Sequence, residues 1–331
     1  LDLAMLNNRI QFTADYYVKT NSDLLFNVNI PATSGFTSAL QNIGRVENRG
    51  IELSLNTINV DTKGFRWNSE FNISFNRNKV LTLEGRREFT TGSDAVLYSS
   101  AFNPILLRVG EPLGSFFGRV TDGIFQNQAE VDGSAQKTAK PGDLRYKDLN
   151  ADGLINDNDR AIIGNANPKF FGGFNNTFLF KGLELNVFLQ GSYGNDLLNF
   201  GRFDFLNLTS SNNNTREALD RWTPTNPSNT IPRANSAGGS RILSSFQVED
   251  GSYLRLKNIS LGYNLPTAWL KRVALSGAKI YVLGQNFFTS TTYTGFDPEV
   301  NRYGSSSISQ GLDYGGYPAA KTITAGLNLK F

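Results

Sequence analysis

Residues 169–194 read KFFGGFNNTFLFKGLELNVFLQGSYG. Two alternating stretches flank Lys181-Gly182, a two-residue reversal with glycine where positive φ is needed. On the second arm Leu183, Leu185, Val187 and Leu189 share one face, and Glu184, Asn186, Gln190 and Ser192 share the other, with Phe188 as an intruder. On the first arm Phe170, Phe174, Phe178 and Phe180 oppose Asn175 and Thr177. Each arm has the roughly 9–11 residues that a tilted strand needs to cross a bilayer. Strands that are oily on one side and rich in Asn, Gln and Ser on the other are the signature of a transmembrane β-barrel.

The pattern recurs along the chain. Alternation with a period of two runs over Arg9–Lys19, Arg49–Asn59, Phe65–Asn78, Ser252–Asn264, Ala278–Phe288 and Thr322–Phe331, giving eight strands with the two hairpin arms. In Ser252–Asn264 the apolar phase switches between Leu256 and Ile259, which predicts a bulge near Asn258. The connections then sort by length. Those at Asp61–Gly64, Lys181–Gly182 and Leu265–Gly277 are short, and Thr20–Asn48, Leu81–Pro168, Asn195–Gly251 and Ser290–Ala320 are long. Strict alternation of short and long connections is expected of an up-and-down barrel with short periplasmic turns and long extracellular loops. That parity puts the carboxyl terminus in the periplasm.

Within the first long connection, Pro31, Gly35 and Gly44 act as breakers. Ile105–Val109 and Phe116–Phe125 have the composition of short strands, and Thr215–Trp222 that of a helix. Phe65, Trp67 and Trp269 fall beside the short turns, where an aromatic belt is expected, and Lys271 and Arg272 are placed to reach headgroups. The last strand is an apolar stripe ending at Phe331.

Composition narrows the function. The 331 residues include no cysteine and no histidine, which removes disulfides, thiol nucleophiles, His-based acid–base pairs and the common zinc sites. With 32 basic and 29 acidic residues the net charge is +3, so there is no broad positive field for nucleic acid. Mean hydropathy is −0.30. No run of about 18 apolar residues marks a transmembrane helix. The only methionine is Met5 and no signal peptide is visible, so the sequence reads as a processed chain or a fragment.

One local motif carries metal chemistry. Asp148 to Asp159, DLNADGLINDND, fits the calcium-loop grammar D-x-N-x-D-G with an acid at position twelve. Side-chain oxygens of Asp148, Asn150 and Asp152 would converge on the ion, with Gly153 at the bend. Leu154 would supply its carbonyl, Asn156 would act through water, and Asp159 would close the shell. The plain alternative is a loop of Asx-turns with no ion. Asp143, Arg145 and Lys147, just before it, read as ion-pair formers rather than catalytic groups. Asp157 and Asp159 have no second signal of acid–base chemistry, and no enzyme is expected.

The run PGDLRYKDLNADG (141–153), with Asp159-Arg160 and Ile163-Gly164, resembles the SusC/RagA-type TonB-dependent outer-membrane transporters. So do Asn42-Ile43-Gly44 with VENRGIE (46–52), Gly110-Glu111-Pro112 with Gly118 and DGIF (122–125), YLRLKNISLGY (253–263), Gln285-Asn286 and FDPE (296–299). The resemblance covers essentially the whole chain. It implies the carboxyl-terminal part, residues 1–331, of one β-barrel domain of about 22 strands. In that reading residues 80–168 form a long extracellular loop that carries the calcium-type segment 148–159, and the amino-terminal plug is absent. It further implies import of oligosaccharides or peptides, a SusD-like surface lipoprotein as partner, and energy from the TonB complex through the missing amino-terminal part. The lumen would be lined by Asn68, Glu70, Asn72, Glu184, Asn186 and Gln190, and Arg221, Trp222 and Arg233 are either loop contacts or packing. Two other readings stand beside it: an autonomous small outer-membrane barrel with a structural or adhesive role, and a soluble calcium-binding β-sandwich.

Overall fold

A computed structural model describes residues 1–29, 33, 35–36, 38–92, 103–206, 208, 213–234, 242–270, 275–302, 304, 306 and 308–331. Its main sheet has nine strands: β1 (Asp2–Met5), β2 (Ile10–Asn29), β3 (Ser38–Asp61), β4 (Phe65–Thr82), β5 (Phe170–Phe180), β6 (Leu183–Tyr193), β7 (Tyr253–Asn264), β8 (Gly277–Thr291) and β9 (Thr322–Lys330). Each pairs antiparallel with the next in chain order, so no connection crosses the sheet. There are nine strands rather than eight because β1 is only four residues long, too short to show a period. Its turn to β2 is short and lies at the same end of the sheet as the other short turns. The sheet is open, with β1 and β9 at its edges.

The register explains why these residues make this sheet. At the β5–β6 turn Lys181 and Gly182 both have positive φ, 47° and 90°, the geometry whose twist matches a two-residue hairpin. That turn sets Phe174 opposite Leu189. From there one apolar row crosses eight strands: Leu3, Phe12, Leu55, Phe71, Phe174, Leu189, Leu256 and Phe288. A second row runs Trp67, Phe178, Leu185, Leu261, Val282 and Ala325. The polar row beside the first is Thr13, Ser54, Asn72, Gly173, Gln190, Arg255 and Thr289. The oily flank is uncovered: Tyr16 and Ile323 are each 71% exposed and Leu261 is 53% exposed. A sandwich would bury this flank against a second sheet, so the sandwich reading is excluded. Phe188, the intruder on the polar face, lies over Gly173, where an added Cβ would meet its ring at 2.9 Å. The ring replaces the missing side chain of the neighbouring strand.

Two expectations about the connections need correction. The segment Thr20–Asn48 is not a loop from end to end, because β2 continues to Asn29 and β3 begins at Ser38. The 24 residues of β3, at about 3.3 Å each, far exceed what a ~30 Å hydrocarbon core requires. The hairpin therefore projects beyond the membrane as a ribbon. Gly44 does not end a strand; it sits at a register shift opposite Leu24. Nor are the long connections merely polar. Ile105, Phe116, Leu198, Phe200, Leu243 and Leu312 come from three of them and form one buried core. Small sheets frame it: Arg160–Asn165, Ser115–Arg119, Ile105–Arg108 and Glu88–Thr91 in one, and Val248–Asp250, Asp196–Asn199 and Leu312–Asp313 in another. The expected short strands are thus present, and the expected helix at Thr215–Trp222 is a 3-10 turn, Arg216–Asp220.

Trp67 stacks on Phe178 at 5.6 Å, and Trp269 lies exposed in a short helix, Thr267–Leu270, on the short-turn side. Pro31, Lys271 and Arg272 lie outside the described residues.

The two faces respond differently to charge. Val187→Arg, in the middle of β6 on the oily flank, is expected to destabilise the folded barrel by about 2–4 kcal/mol. Ser260→Arg, on the polar face of β7, is expected to cost less than about 1 kcal/mol. Denaturant unfolding of the full-length protein from lipid vesicles measures both.

Candidate functional site

The polar face of the sheet is knit by side-chain hydrogen bonds. Asn186 donates to Asn175 Oδ1 at 2.8 Å and to Thr177 Oγ1 at 3.0 Å, and Asn175 donates to Glu70 at 3.2 Å. Asn72 accepts from the Gly173 N–H, and Lys279 pairs with Glu184 at 2.7 Å. Asn68, Glu70, Asn72, Glu184, Asn186 and Gln190 therefore share this face, as the alternation predicts.

At the end of the sheet that carries the long connections, two distant sequence runs meet. Arg255 is only 2% exposed on the polar face of β7. Its guanidinium pairs with Asp297 at 2.5 Å and with Glu299. The predicted bulge brings in a second cation. Against β6 the register slips between Leu256 and Asn258, so Lys257 is the extra residue there, while on the β8 side it stands opposite two residues, Asn286 and Phe287. Leu256 stays on the oily flank, while Lys257 reaches Glu299 at 3.0 Å. A bulge that re-aims one side chain does so without disturbing the apolar phase of Ile259, Leu261 and Tyr263 beyond it. The Tyr253 hydroxyl donates to Glu299 at 2.9 Å. Asp297 also accepts from the N–H groups of Glu299 and Ala319, which pins both ends of that connection. Burial pushes the Asp297 carboxyl up, but the bonds from Arg255, Ala319 and Glu299 outweigh it and hold its pKa below the ordinary value. Sequence reading names both runs but not their meeting. Two acids in a long connection and one arginine in a polar row carry no pairing signal by themselves.

This cluster walls a cleft of about 330 Å³ between the polar face and the last long connection, lined by Gln190, Ser192, Asn195, Tyr253, Asn301 and Gln310. The Asn301 Oδ1 atom is buried without a hydrogen-bond partner among the described residues. The lining mixes amide, hydroxyl and aromatic groups with the apolar side chains of Leu197, Pro298 and Val300, and Glu299 is already committed to Arg255 and Lys257. Such a surface suits a neutral ligand that carries both hydrogen-bonding groups and apolar faces.

The calcium-type segment lies elsewhere, on the exposed surface of the loop body. Asp148 accepts from the N–H groups of Asp152 (3.2 Å) and Gly153 (2.8 Å), Asn150 accepts from Asp152 at 3.1 Å, and Asp152 accepts from Leu154 at 2.9 Å. Asn150 also donates to Asp152 at 2.8 Å. Asn156 caps the short turn Asp157–Asp159. Asp159 is fully buried, and its two oxygens accept from Leu149 (2.9 Å) and Asn156 (2.8 Å). Burial raises its pKa, but the N–H groups of Asn156, Leu149 and Asn150 and the charge of Arg119 outweigh it, so the net shift is downward. Among the described residues no three acidic side chains cluster in a geometry that would hold a metal. The donors Asp148, Asn150 and Asp152 share one turn, while Asp159 braces it from beneath.

The remaining candidates are structural. Asp143 pairs with Arg233 at 2.7 Å, Arg145 with Asp122 at 3.5 Å, and Lys147 with Asp122 at 4.0 Å, which makes them ion-pair formers as expected. The Trp222 indole donates to Gln126 at 3.1 Å and its ring covers Gly142. Arg221 bonds the Ala218 carbonyl at 3.2 Å. All three of Arg221, Trp222 and Arg233 thus serve packing of the loop body.

Removing Arg255 strands the buried Asp297 carboxylate, while Glu299 keeps Lys257 and Tyr253 as partners. Arg255→Ala is expected to cost about 3–5 kcal/mol of local stability. The readout is faster proteolysis of the connection 292–321. The pH dependence has a fixed sign. Asp297 is depressed in the folded state, so its contribution is complete above the unfolded carboxylate range near about 4 and is lost as pH falls through the folded value. Protease resistance of the same connection should therefore drop only in acid.

No protein-family model matches the chain. Over its whole length the chain is 39% identical to TonB-dependent receptor P3 of Formosa agariphila, of which it covers 33%. It is 29% identical to the TonB-dependent receptor SusC of Bacteroides thetaiotaomicron, covering 31% of that protein. Among solved structures, the RagAB peptide transporter superposes with a TM-score of 0.81 at 25% identity, over 100% of this chain and 34% of that one. The chain thus spans about a third of the length of the relatives it matches. Register, faces and kinship agree: the chain is a barrel segment of the SusC/RagA type of TonB-dependent outer-membrane transporter.

Proposed function

We propose that the chain is the carboxyl-terminal part of a TonB-dependent importer of oligosaccharides or peptides, with a SusD-like lipoprotein capping it outside and TonB acting from the periplasm. The observation that carries this reading is the cleft at the mouth of the lumen face, with Gln190, Asn195, Asn301 and Gln310 in its lining. Import of peptides is named for the RagAB relative, and SusC is a relative of the same type. The open sheet fits a segment rather than an autonomous small barrel, because strands that cross a bilayer must close into a ring. In this reading the long connections face outward, the carboxyl terminus faces the periplasm, and the loop body forms the seat of the lipoprotein. The work is selective binding and gated passage, not catalysis.

Asn301→Ala with Gln310→Ala, in the full-length transporter, is expected to lower ligand binding roughly 3- to 10-fold per lost hydrogen bond. Uptake of labelled oligopeptides and oligosaccharides by cells carrying the variant measures it. Unchanged uptake of every ligand that the wild type imports would remove the cleft from the account.

The calcium loop is proposed as a structural site of the same extracellular body. Asp148, Asn150 and Asp152 would hold the ion with the Leu154 carbonyl, Asn156 would act through water, and Asp159 would fix the loop. An all-oxygen donor set on one turn fits a hard cation. At a calcium concentration of 100 times Kd the expected gain in stability is about 2.7 kcal/mol. Asp148→Ala with Asp152→Ala should abolish the calcium-dependent rise in melting temperature, and an unchanged rise would remove the metal.

A further inference from the structure

Gly172 and Gly191 are register partners on the oily flank of β5 and β6. Two absent side chains side by side leave a depression of about 500 Å³, walled by Phe71, Phe170, Leu189, Tyr193 and Leu254. The depression is built in. A Cβ on Gly172 would stand 2.3 Å from the Asn72 carbonyl oxygen, so no larger residue fits there. It opens toward the end of the sheet that carries the long connections, where Ser252 and Thr291 line it.

Cations gather at that same end. Arg49 and Arg77 are register partners whose alternation places them on the oily flank, just beyond Ile51 and Phe75. The Arg77 guanidinium donates to the Lys169 carbonyl at 3.0 Å, beside Phe170. The Lys169 ammonium stands 6.0 Å from the ring centre of Tyr193, a wall of the depression. All three cations are exposed; Arg77 is bonded only to backbone carbonyls, and Lys169 feels the charge of Asp196 without a direct ion pair among the described residues. Asp250 lines the depression on its β7 side, where it is bonded to Ser252 at 2.9 Å.

We propose that this depression is a binding site for one phosphate-bearing lipid of the outer leaflet, with an acyl chain in the glycine notch and its phosphate on Arg49, Arg77 and Lys169. The inference rests on the reading that the long connections are extracellular. An apolar slot beneath three exposed cations matches an anionic amphiphile set upright in the bilayer. Free phosphate would leave the slot unfilled, and a neutral lipid would leave the cations unmatched. Each cation near a membrane surface contributes enough to change lipid retention about fivefold.

Native mass spectrometry of the detergent-solubilised full-length transporter, titrated with lipid A and with its dephosphorylated form, tests the proposal. The wild type should retain one phosphorylated lipid in preference to the dephosphorylated one. The combined variant Arg49→Gln, Arg77→Gln, Lys169→Gln should lose that preference while still showing heat-modifiable migration. Ser290→Phe, which fills the notch and leaves the cations in place, should reduce retention of both lipids and keeps the test decisive if the triple variant fails to fold. Equal retention of the two lipids by the wild type overturns the proposal, as does wild-type retention in either variant. Uptake is read separately: loss of import with lipid retention intact counts against the transport reading and not against this one.

Discussion

The whole structure depends on one constraint, that a strand in lipid must satisfy its backbone in the sheet and show oil outward. Nine strands meet it together because the hairpin register lines up their apolar residues in continuous rows. A slip of one residue in any pair would turn its oily flank inward. The Lys181-Gly182 turn, with both residues at positive φ, leaves little room for such a slip. The bulge at Lys257 is the controlled exception, since it shifts the phase of β7 once while β6 and β8 keep theirs.

Outside the bilayer a different force takes over. The connections have water around them and build an ordinary dry core from Ile105, Phe116, Phe200, Leu243 and Leu312. That body is tied back to the sheet by charge: Arg255 and Lys257 on β7 hold Asp297 and Glu299. Leaving Arg255 or Asp297 unpaired in its nearly dry position is costly, so this pair pins the loop body to the lumen wall. The cleft beside it inherits a fixed wall.

Much of this was legible in the residues. Period-two alternation marked the spanning strands, loop-length parity marked the two ends of the sheet, and the phase switch between Leu256 and Ile259 marked the bulge. The misses have a physical pattern. Strand β1 is four residues long and has no period to detect. The β2–β3 ribbon was hidden because Gly44 reads as a breaker in sequence, while in the sheet it sits at a register shift. The loop core was hidden because Leu198, Phe200, Leu243 and Leu312 are isolated apolar residues in polar runs, joined only by the fold. The cleft was invisible for the same reason, since Gln190 and Asn301 are more than a hundred residues apart.

The sequence contains no cysteine, so single cysteines can be placed anywhere along it without background from this segment. The most direct measurement is labelling of cysteines at residues 183–190 of β6, in the full-length protein in native outer membranes, by a charged water-soluble maleimide. The account expects labelling at 184, 186 and 190 and protection at 183, 185, 187 and 189. Labelling that ignores this alternation, or that favours the oily positions, would contradict it.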